Sequence, residues 1–193
     1  MNQLDIRDFP LELEKLENKC KEIGFEMPSD RLAGSLLKTL IASKPTGKFL
    51  ELGTGIGLSL AWMIAGMDQS SSIISLDNDE NLIQIVQNIF HKDARVSLLG
   101  ENGEQWIQDY SGGKFDLIFA DTWPGKYNSL DEVLDLLKVG GIYVIDDMNE
   151  QPNWPEGHDL KAKGLIEKLE QKENFTMCKM NWSTGIILMT RIK

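Results

Sequence analysis

The sequence predicts an α/β protein with a mostly parallel sheet and one antiparallel edge. Three observations support this prediction. Short apolar runs alternate with helical patterns from residue 48 onward, a glycine-rich turn joins the first run to a helix, and two strand-like runs end the chain. Strands that alternate with helices form parallel sheets, whereas two successive strands joined by a short turn pair antiparallel. A length of 193 residues suits a single domain over 1–193.

The first 27 residues form a helical arm that precedes the alternating pattern. Apolar residues recur at helical spacing in LELEKLENKCKEI, and Gly24 ends this pattern. A second helix, RLAGSLLKTLIASK, follows Ser29 and Asp30, and either residue suits its N-cap. We expect the arm to pack on the domain or on a second subunit, so a homodimer is one expected assembly.

The elements after the arm follow one another in a regular order. We expect strands over 48–52, 71–77, 95–99, 115–121, 142–145, 175–182 and 185–191. We expect helices over 58–67, 80–90, 104–110, 129–138 and 160–173, with Gly140 and Gly141 stopping the fourth of these. Only Ser183 and Thr184 separate the last two strands, which predicts an antiparallel hairpin.

The central motif is KFLELGTGIG at 48–57. Its glycines allow positive φ and let a ligand approach bare backbone amides at the start of a helix. The next strand ends in Asp77, whose carboxylate is suited to accept both hydroxyls of a ribose at the same sheet edge. This combination indicates a nucleotide-type cofactor, and an ordinary strand–helix turn is the alternative interpretation.

The glycine spacing distinguishes two cofactor classes. NAD enzymes prefer G-x-G-x-x-G, but this chain has G-x-G-x-G after Glu51, a form that resembles the first motif of S-adenosylmethionine (SAM) dependent methyltransferases. That resemblance implies a three-layer, Rossmann-like fold with a seven-stranded sheet in the order 3-2-1-4-5-7-6. The predicted C-terminal hairpin fits this fold better than an NAD-binding one, so SAM is the expected cofactor.

Carboxylates end three of the predicted strands, at Asp77, at Asp121 and at the pair Asp146-Asp147. Ligands of open α/β sheets bind outside the carboxyl ends of the strands, so we expect Asp121 and the pair to face one pocket. Carboxylates this close repel one another, which requires a cation or a raised pKa. An oxygen-rich site suits Mg²⁺ or another divalent cation, and the alternative is that these residues only cap loops.

Two further segments, FADTWPGKY and VIDDMN, are similar to the catechol and caffeoyl-CoA O-methyltransferase family. The similarity runs from Pro28 to the C-terminus. It implies a divalent metal at Asp121, Asp146 and Asp147, the last of which stands where the family has Asn. This departure from the pattern, together with the one described next, indicates a bacterial-type branch with its own substrate.

The second departure concerns the catalytic group. In the family a Lys lies three residues after the first Asp, but this position is Pro124 here, and Lys126 follows two residues later. Methyl transfer to oxygen requires an unprotonated hydroxyl, which needs a base or a metal ion. The expected catalytic residues are Asp121, Lys126 and His158, with Asp147 as a further candidate base.

The resemblance also implies where the cofactor lies. The methionine part is expected near the glycine turn, the ribose at Asp77 and the adenine beside the turn that follows the third strand. The expected cofactor-binding residues are Glu51, Gly53, Thr54, Gly55, Ser59, Asp77, Asn78, Glu101, Asn102, Gly103 and Asp121.

Charge and composition exclude several function classes. A formal net charge of −10 argues against nucleic acid and anionic membrane surfaces as partners, because both would repel the chain. Two cysteines and the lack of a secretory or membrane-spanning run favour a cytoplasmic location. The expected function is methyl transfer from SAM to a hydroxyl oxygen of a small molecule. The alternatives are an NAD(P)-dependent oxidoreductase and a SAM-binding protein without transferase activity.

Overall fold

The computed structural model describes residues 2–152 and 154–193, so Met1 of the expected arm lies outside the described residues. The helices are α1 (Leu13–Ile23), α2 (Arg31–Ala42), α3 (Leu58–Gly66), α4 (Glu80–Phe90), α5 (Gly103–Asp109), α6 (Leu130–Asp135) and α7 (His158–Glu170). The strands are β1 (Lys48–Leu52), β2 (Ser72–Asp77), β3 (Val96–Gly100), β4 (Phe115–Ala120), β5 (Leu137–Ile145), β6 (Phe175–Met180) and β7 (Ile186–Arg191). Within the described ranges, no helix is long and apolar enough to cross a membrane.

The seven strands form one sheet in the order β3-β2-β1-β4-β5-β7-β6. The first five strands are parallel, whereas β7 pairs antiparallel with both β5 and β6. The register pairs Leu52 with Leu76 on one side and with Ala120 on the other, so β1, β2 and β4 end at the same level. The predicted fold class and strand order are confirmed.

Helices cover both faces of the sheet. Successive residues of a strand point to opposite faces. On one face Phe49 and Leu117 pack with buried residues of α1 to α4. On the other face Leu50 and Ile118 pack with buried residues of α5 to α7. Because both faces are covered, the central strands are apolar at most positions, which explains the apolar runs in the sequence. Glu51 of β1 and Ser75 of β2 are buried polar exceptions.

Short polar side chains fix the starts of three helices. Asp30 accepts hydrogen bonds from two backbone N–H groups of α2, both at 2.8 Å, so Asp30 rather than Ser29 is the N-cap. Asp79 caps α4 and Asn102 caps α5. These caps satisfy N–H groups that have no partner within the helix. The start of α4 lies directly after β2, and the start of α5 directly after β3, so the caps also shape the carboxyl edge of the sheet.

The structure differs from the sequence prediction between α6 and β5. We expected a helix over 129–138, but α6 ends at Asp135 and β5 already begins at Leu137. Leu137 is fully buried and pairs with Phe115, so packing against the sheet outweighs the helical pattern. Gly140, expected to stop the helix, instead lies inside β5 at φ +79°, where the register against β4 shifts.

The N-terminal arm packs on the chain's own fold. Leu13 and Leu16 of α1 are buried, and they belong to the same apolar cluster as α3. The ring of Phe9 meets the edge of Trp62 in α3, with 5.9 Å between the ring centroids. The arm therefore extends the helical layer on one face of the sheet, and Leu11 is its most exposed apolar side chain.

Candidate active site

The carboxyl ends of β1 and β4 bring the glycine turn and the first acidic residue together. The backbone N–H of Asp121 donates to the carbonyl oxygen of Leu52 at 3.0 Å, just before the turn begins at Gly53. A Cβ atom on Gly53 would lie 3.0 Å from the carbonyl oxygen of Asp121, closer than ordinary side-chain packing allows. Gly53 therefore lets the two loops touch.

The glycine turn has the backbone that the motif requires. Gly53, Gly55 and Gly57 have φ angles of +97°, +51° and +86°, in the region that favours glycine. The N–H of Gly55 donates to the carboxylate of Asp77 at 2.8 Å, which ties the turn to the end of β2. The result is a stretch of backbone without side chains beside a partly exposed carboxylate at the start of α3, which fits an adenosyl cofactor.

Glu51 lies beneath this turn and is completely buried. The Ser75 hydroxyl donates to Oε2 of Glu51 at 2.5 Å, and Thr54 shares a hydrogen bond with Ser75 at 2.6 Å. Burial raises the pKa of Glu51 to about 7, against the opposing effect of the Ser59 and Ser75 hydroxyls. Oε1 has no hydrogen-bond partner of normal geometry among the described residues.

The side chains of Glu51, Thr54 and Ser59 are therefore interior groups. Each is almost fully buried, so these residues support the turn from below, and only their backbone can border an open site. The expected place of the methionine part of the cofactor beside these residues stays a prediction. A buried hydrogen-bonded network of this kind holds a loop in one conformation.

The expected ribose and adenine residues lie together at the ends of β2 and β3. The N–H of Glu101 donates to the carbonyl oxygen of Asp77 at 3.1 Å. Asn78, Glu101 and Asn102 are exposed, and Asn102 uses its side-chain oxygen to cap α5. Gly103 is buried. The exposed side chains of Asn78 and Glu101 supply polar groups near Asp77, which a ribose and the edge of a base need.

The acidic residues after β4 and β5 form a second group at the same edge, which we call the acid cluster (Asp121, Asp146 and Asp147). Oδ1 of Asp146 accepts hydrogen bonds from the Thr184 hydroxyl and from the N–H of Asp147. Oδ2 of Asp121 accepts from the Ser29 hydroxyl at 3.1 Å. Segments from both ends of the chain thus contribute donors to the cluster.

Burial and mutual repulsion raise the pKa of two carboxyl groups of the acid cluster, those of Asp121 and Asp146. Part of Asp121 reaches the surface, but its carboxyl group is enclosed by protein atoms. This enclosure raises the pKa of Asp121 well above its usual range, and the charges of Asp146 and Asp147 raise it further. Burial also raises the pKa of Asp146 to about 6. The positive charge of Lys126 lowers the pKa of both carboxyls.

Lys126 is an interior residue, with only 4% of its surface exposed. Its Nζ donates to the carbonyl oxygen of Asp146 at 2.6 Å and lies 5.5 Å from the ring centroid of Tyr127. The sequence predicted Lys126 as a catalytic residue, and the structure places it beside the acid cluster. Its role as a base would require it to give up a proton while surrounded by carboxyl groups.

His158 stands at the start of α7 within a group of aromatic rings. Its Nε2 lies 3.1 Å from the hydroxyl of Tyr127, and its ring centroid lies 4.6 Å from Trp154 and 6.1 Å from Trp123. Burial lowers the pKa of His158, and the charges of Lys126 and Lys161 lower it further. The imidazole is therefore neutral at neutral pH and able to accept a proton.

The acid cluster does not offer a divalent ion a prepared set of ligands. In residues 2–152 and 154–193, no three His, Cys, Asp or Glu side chains are placed so that they could hold a metal ion. Asp146 already accepts two hydrogen bonds with Oδ1, and Asp121 accepts one from Ser29. The expected ligands belong to one cluster, but two of their oxygens, Oδ2 of Asp121 and Oδ1 of Asp146, already accept hydrogen bonds within the protein.

Sequence reasoning missed several residues at this edge. The ring of Phe25 lies 3.2 Å from the position of a Cβ on Gly55, so the α1–α2 linker passes over the glycine turn. Ser29 and Thr184, from the linker and the β6–β7 turn, donate to the acid cluster. No local pattern marks these three, because only the folded chain brings them to the site.

Comparison with known proteins agrees with this geometry. The model of the O-methyltransferase family matches residues 8–192. A Mycobacterium avium (strain 104) protein assigned by name to the O-methyltransferases is 25% identical over 168 residues, which cover 82% of this chain and 76% of that protein.

Solved structures with the same fold include two complexes with SAH. The Podospora anserina methyltransferase PaMTH1, described as SAH-bound, has a TM-score of 0.84 and 21% identity, and the match covers 97% of this chain and 90% of that one. The O-methyltransferase from Bacillus cereus in complex with SAH has a TM-score of 0.81 and 17% identity, with coverage of 97% and 93%. These likenesses establish the fold.

Proposed function

Because this chain belongs to the O-methyltransferase family, we propose that it transfers the methyl group of SAM to a hydroxyl oxygen of a small molecule. The observation that carries the proposal is the contact between Gly53 and Asp121. This contact joins the glycine turn and the acid cluster at one edge of the sheet. We call residues 51–59, Asp77 and Asn78 the cofactor half. The acceptor half consists of the acid cluster, its donors Ser29 and Thr184, and the three residues Lys126, Tyr127 and His158.

The cofactor half suits SAM because it combines bare backbone with an exposed carboxylate. Gly53 and Gly55 leave room for a ligand against the start of α3, and Asp77 offers carboxylate oxygens to the ribose hydroxyls. SAM, when bound, supplies an electrophilic methyl group on a sulfonium. The exposed residues Asn78, Glu101 and Asn102 would border the adenosine end.

The acceptor half suits a hydroxyl compound that must lose its proton. The N–H groups of the Lys126 ammonium can bind the acceptor oxygen and favour its anionic form. The neutral imidazole of His158 takes the hydroxyl proton, and its hydrogen bond with Tyr127 fixes the ring. The rings of Trp123 and Trp154 flank His158 and favour a flat acceptor.

The transfer is an in-line displacement that balances within this arrangement. The acceptor oxygen forms the new bond to the methyl carbon while the carbon–sulfur bond breaks. The electron pair of the carbon–sulfur bond stays on sulfur. The hydroxyl proton moves to His158 and later to water. Contact between the two halves holds the acceptor in line, and such alignment alone accounts for several kcal/mol of the barrier, roughly, by the effective-molarity argument.

The proposal is tested by turnover. The purified chain is incubated with SAM that carries a labelled methyl group and with a panel of small hydroxylated compounds, aromatic and aliphatic. We expect SAH to form only when a suitable acceptor is present, with the label on an acceptor oxygen. A matched reaction with NAD⁺ in place of SAM should give no reduced nicotinamide.

Two outcomes would contradict the proposal. Transfer of the label to nitrogen acceptors alone would show that the acceptor half does not serve methyl transfer to oxygen. Reduction of NAD⁺, or tight binding of SAH without any transfer across the whole panel, would favour the oxidoreductase or the non-catalytic SAM-binding protein.

A further inference from the structure

We propose that the ammonium group of Lys126 is the resident cation of the acid cluster, and that it occupies the role of a divalent metal ion in this enzyme. The inference rests on the proposed function, because it concerns how the same site holds and activates a hydroxyl acceptor. It follows from the position of Lys126, from the hydrogen bonds of the carboxyl groups and from the loop that holds both.

The first step is the burial of a full positive charge. Lysine is almost never fully buried unless it is paired, since the loss of hydration must be offset by nearby negative groups. Lys126 is 4% exposed, and Asp146 is 3% exposed. The Nζ of Lys126 donates to the backbone carbonyl of Asp146, so its charge lies beside the backbone of the acid cluster. No ion pair joins Lys126 to a carboxylate among the described residues, but its charge lowers the pKa of Asp146 and so acts on this buried carboxyl group.

The second step concerns the carboxylate oxygens. A hard divalent cation needs several oxygen ligands directed at one point. Oδ1 of Asp146 is instead occupied by the Thr184 hydroxyl and the N–H of Asp147, and Oδ2 of Asp121 accepts from Ser29. A cation bound at Asp146 would also stand beside the Lys126 ammonium and be repelled by it. The cluster is therefore arranged around a charge that is already present.

The third step is the loop that fixes Lys126. Gly125 has a φ of +82°, and a Cβ there would lie 2.4 Å from Cδ1 of Leu52. The carbonyl oxygen of Gly125 accepts a hydrogen bond from the buried hydroxyl of Tyr143, and the N–H of Lys126 donates to Trp123 at 3.1 Å. Two hydrogen bonds and one close contact thus set the direction in which the Lys126 side chain leaves the loop.

The chemical consequence is an acceptor site with a built-in charge. An ammonium group has three N–H donors, and the carbonyl oxygen of Asp146 uses one. The others can bind the acceptor oxygen, stabilise its anionic form and so replace the Lewis acid. The proton leaves to His158 while the oxygen forms its bond to the methyl carbon, and the Lys126 ammonium takes no part in the proton transfer.

The test is a titration with Mn²⁺, followed by electron paramagnetic resonance at about pH 8, where carboxyl groups with a pKa near 6 are ionised. The chains compared are the full wild type, Lys126→Met and the matched control Lys161→Met, whose exposed ammonium lies 4.2 Å from the ring centroid of Trp123. SAH binding by each chain is measured by calorimetry and reports that the fold and the proposed function are intact.

We expect the wild type and Lys161→Met to bind Mn²⁺ no more tightly than low millimolar, and Lys126→Met to bind it at least about tenfold more tightly. Lys126→Arg, which keeps the charge, should behave as the wild type. Micromolar Mn²⁺ binding by the wild type would overturn the inference, and so would a Lys126→Met chain that binds SAH but gains no affinity for Mn²⁺. Loss of SAH binding by the wild type would instead contradict the proposed function.

Discussion

The cofactor half and the acceptor half of the site are built in opposite ways. The cofactor half uses backbone, with glycines at positive φ and one carboxylate, and its residues come from two neighbouring strands. The acceptor half uses side chains from five separate segments, among them Ser29, Lys126 and Thr184. A binding site built from local backbone can be recognised in a sequence and can retain its ligand. A site built from side chains of distant segments can change its chemistry through single substitutions.

The comparison predicts that the two halves can be damaged separately, and the largest effect should come from Lys126→Met. Loss of the ammonium removes the group that stabilises the acceptor oxygen, so kcat should fall about 10²–10³-fold, as for the removal of one oxyanion donor. SAH affinity should stay within about twofold of wild type. The measurement is the rate of SAH formation at saturating SAM and acceptor.

The control for this prediction is Lys161→Met, which removes a nearby exposed charge that acts only on the pKa of His158, so kcat should change far less than in Lys126→Met. A large loss of SAH affinity in Lys126→Met would show that the halves are not independent.

Glu51→Gln tests the buried support of the cofactor half through pH. The folded state raises the pKa of Glu51 from 4.5 to about 7, so the folded protein resists its ionisation. Wild-type stability is therefore unaffected below the lower value and decreases as the pH rises from there towards about 7, by up to about 3 kcal/mol. Glutamine does not ionise, so the stability of the variant relative to wild type should increase over this range.

Urea denaturation of both chains from about pH 4.5 to about pH 8 measures this difference. A constant offset between the two chains, independent of pH, would mean that Glu51 ionises as freely in the folded state as in the unfolded one.

Asp77→Asn should weaken the cofactor half without changing the chemistry of the acceptor half. Replacement of a charged acceptor by a neutral amide should reduce SAH affinity about 10–100-fold, as expected for a hydrogen bond to a charged group. Calorimetry measures the affinity, and kcat at saturating SAM should remain near the wild-type value. Asp79→Asn is the matched control, because Asp79 caps α4 beside the site and accepts from α4 rather than from a ligand.

If Asp77→Asn kept the wild-type affinity for SAH, or if Asp79→Asn lost as much SAH affinity, Asp77 would have no specific role in binding the cofactor.

The smallest effect should come from Tyr127→Phe in the acceptor half. The change deletes the hydroxyl that lies 3.1 Å from Nε2 of His158 and leaves the ring in place. We expect kcat to fall about 3–10-fold, the size of one neutral hydrogen bond, with SAH affinity unchanged. The pH–rate profile should keep its rising limb, because His158 still accepts the proton. Loss of the rising limb in Tyr127→Phe would show that a group other than His158 accepts the proton.

The same contrast explains how much the sequence could reveal. The glycine spacing after Glu51 and the acid at the end of β2 lie within one stretch of chain, so they predicted a cofactor turn. The apolar alternation predicted a mostly parallel sheet, and the resemblance to SAM-dependent methyltransferases implied the strand order that the structure confirms. The helix over 129–138 was wrong in its second half, because pairing of Leu137 with Phe115 depends on a strand more than 20 residues away in the chain.

The acceptor half was only partly readable. The strand-end acids and Lys126 could be located, but the direction of each side chain could not. The Ser29 and Thr184 donors reach the cluster from segments that the fold alone brings near, and the interior position of Lys126 depends on the Tyr143–Gly125 hydrogen bond. The same residue types with other hydrogen bonds would have made a metal site.

The most direct test of the account is a calorimetric titration of the EDTA-treated wild-type chain with SAH, repeated with NAD⁺ and with added Mg²⁺. We predict micromolar SAH binding that Mg²⁺ leaves unchanged, together with no binding of NAD⁺. Binding of NAD⁺ alone, or the absence of SAH binding under both metal conditions, would contradict the claim that the turn at Gly53 and the carboxylate of Asp77 form a SAM site.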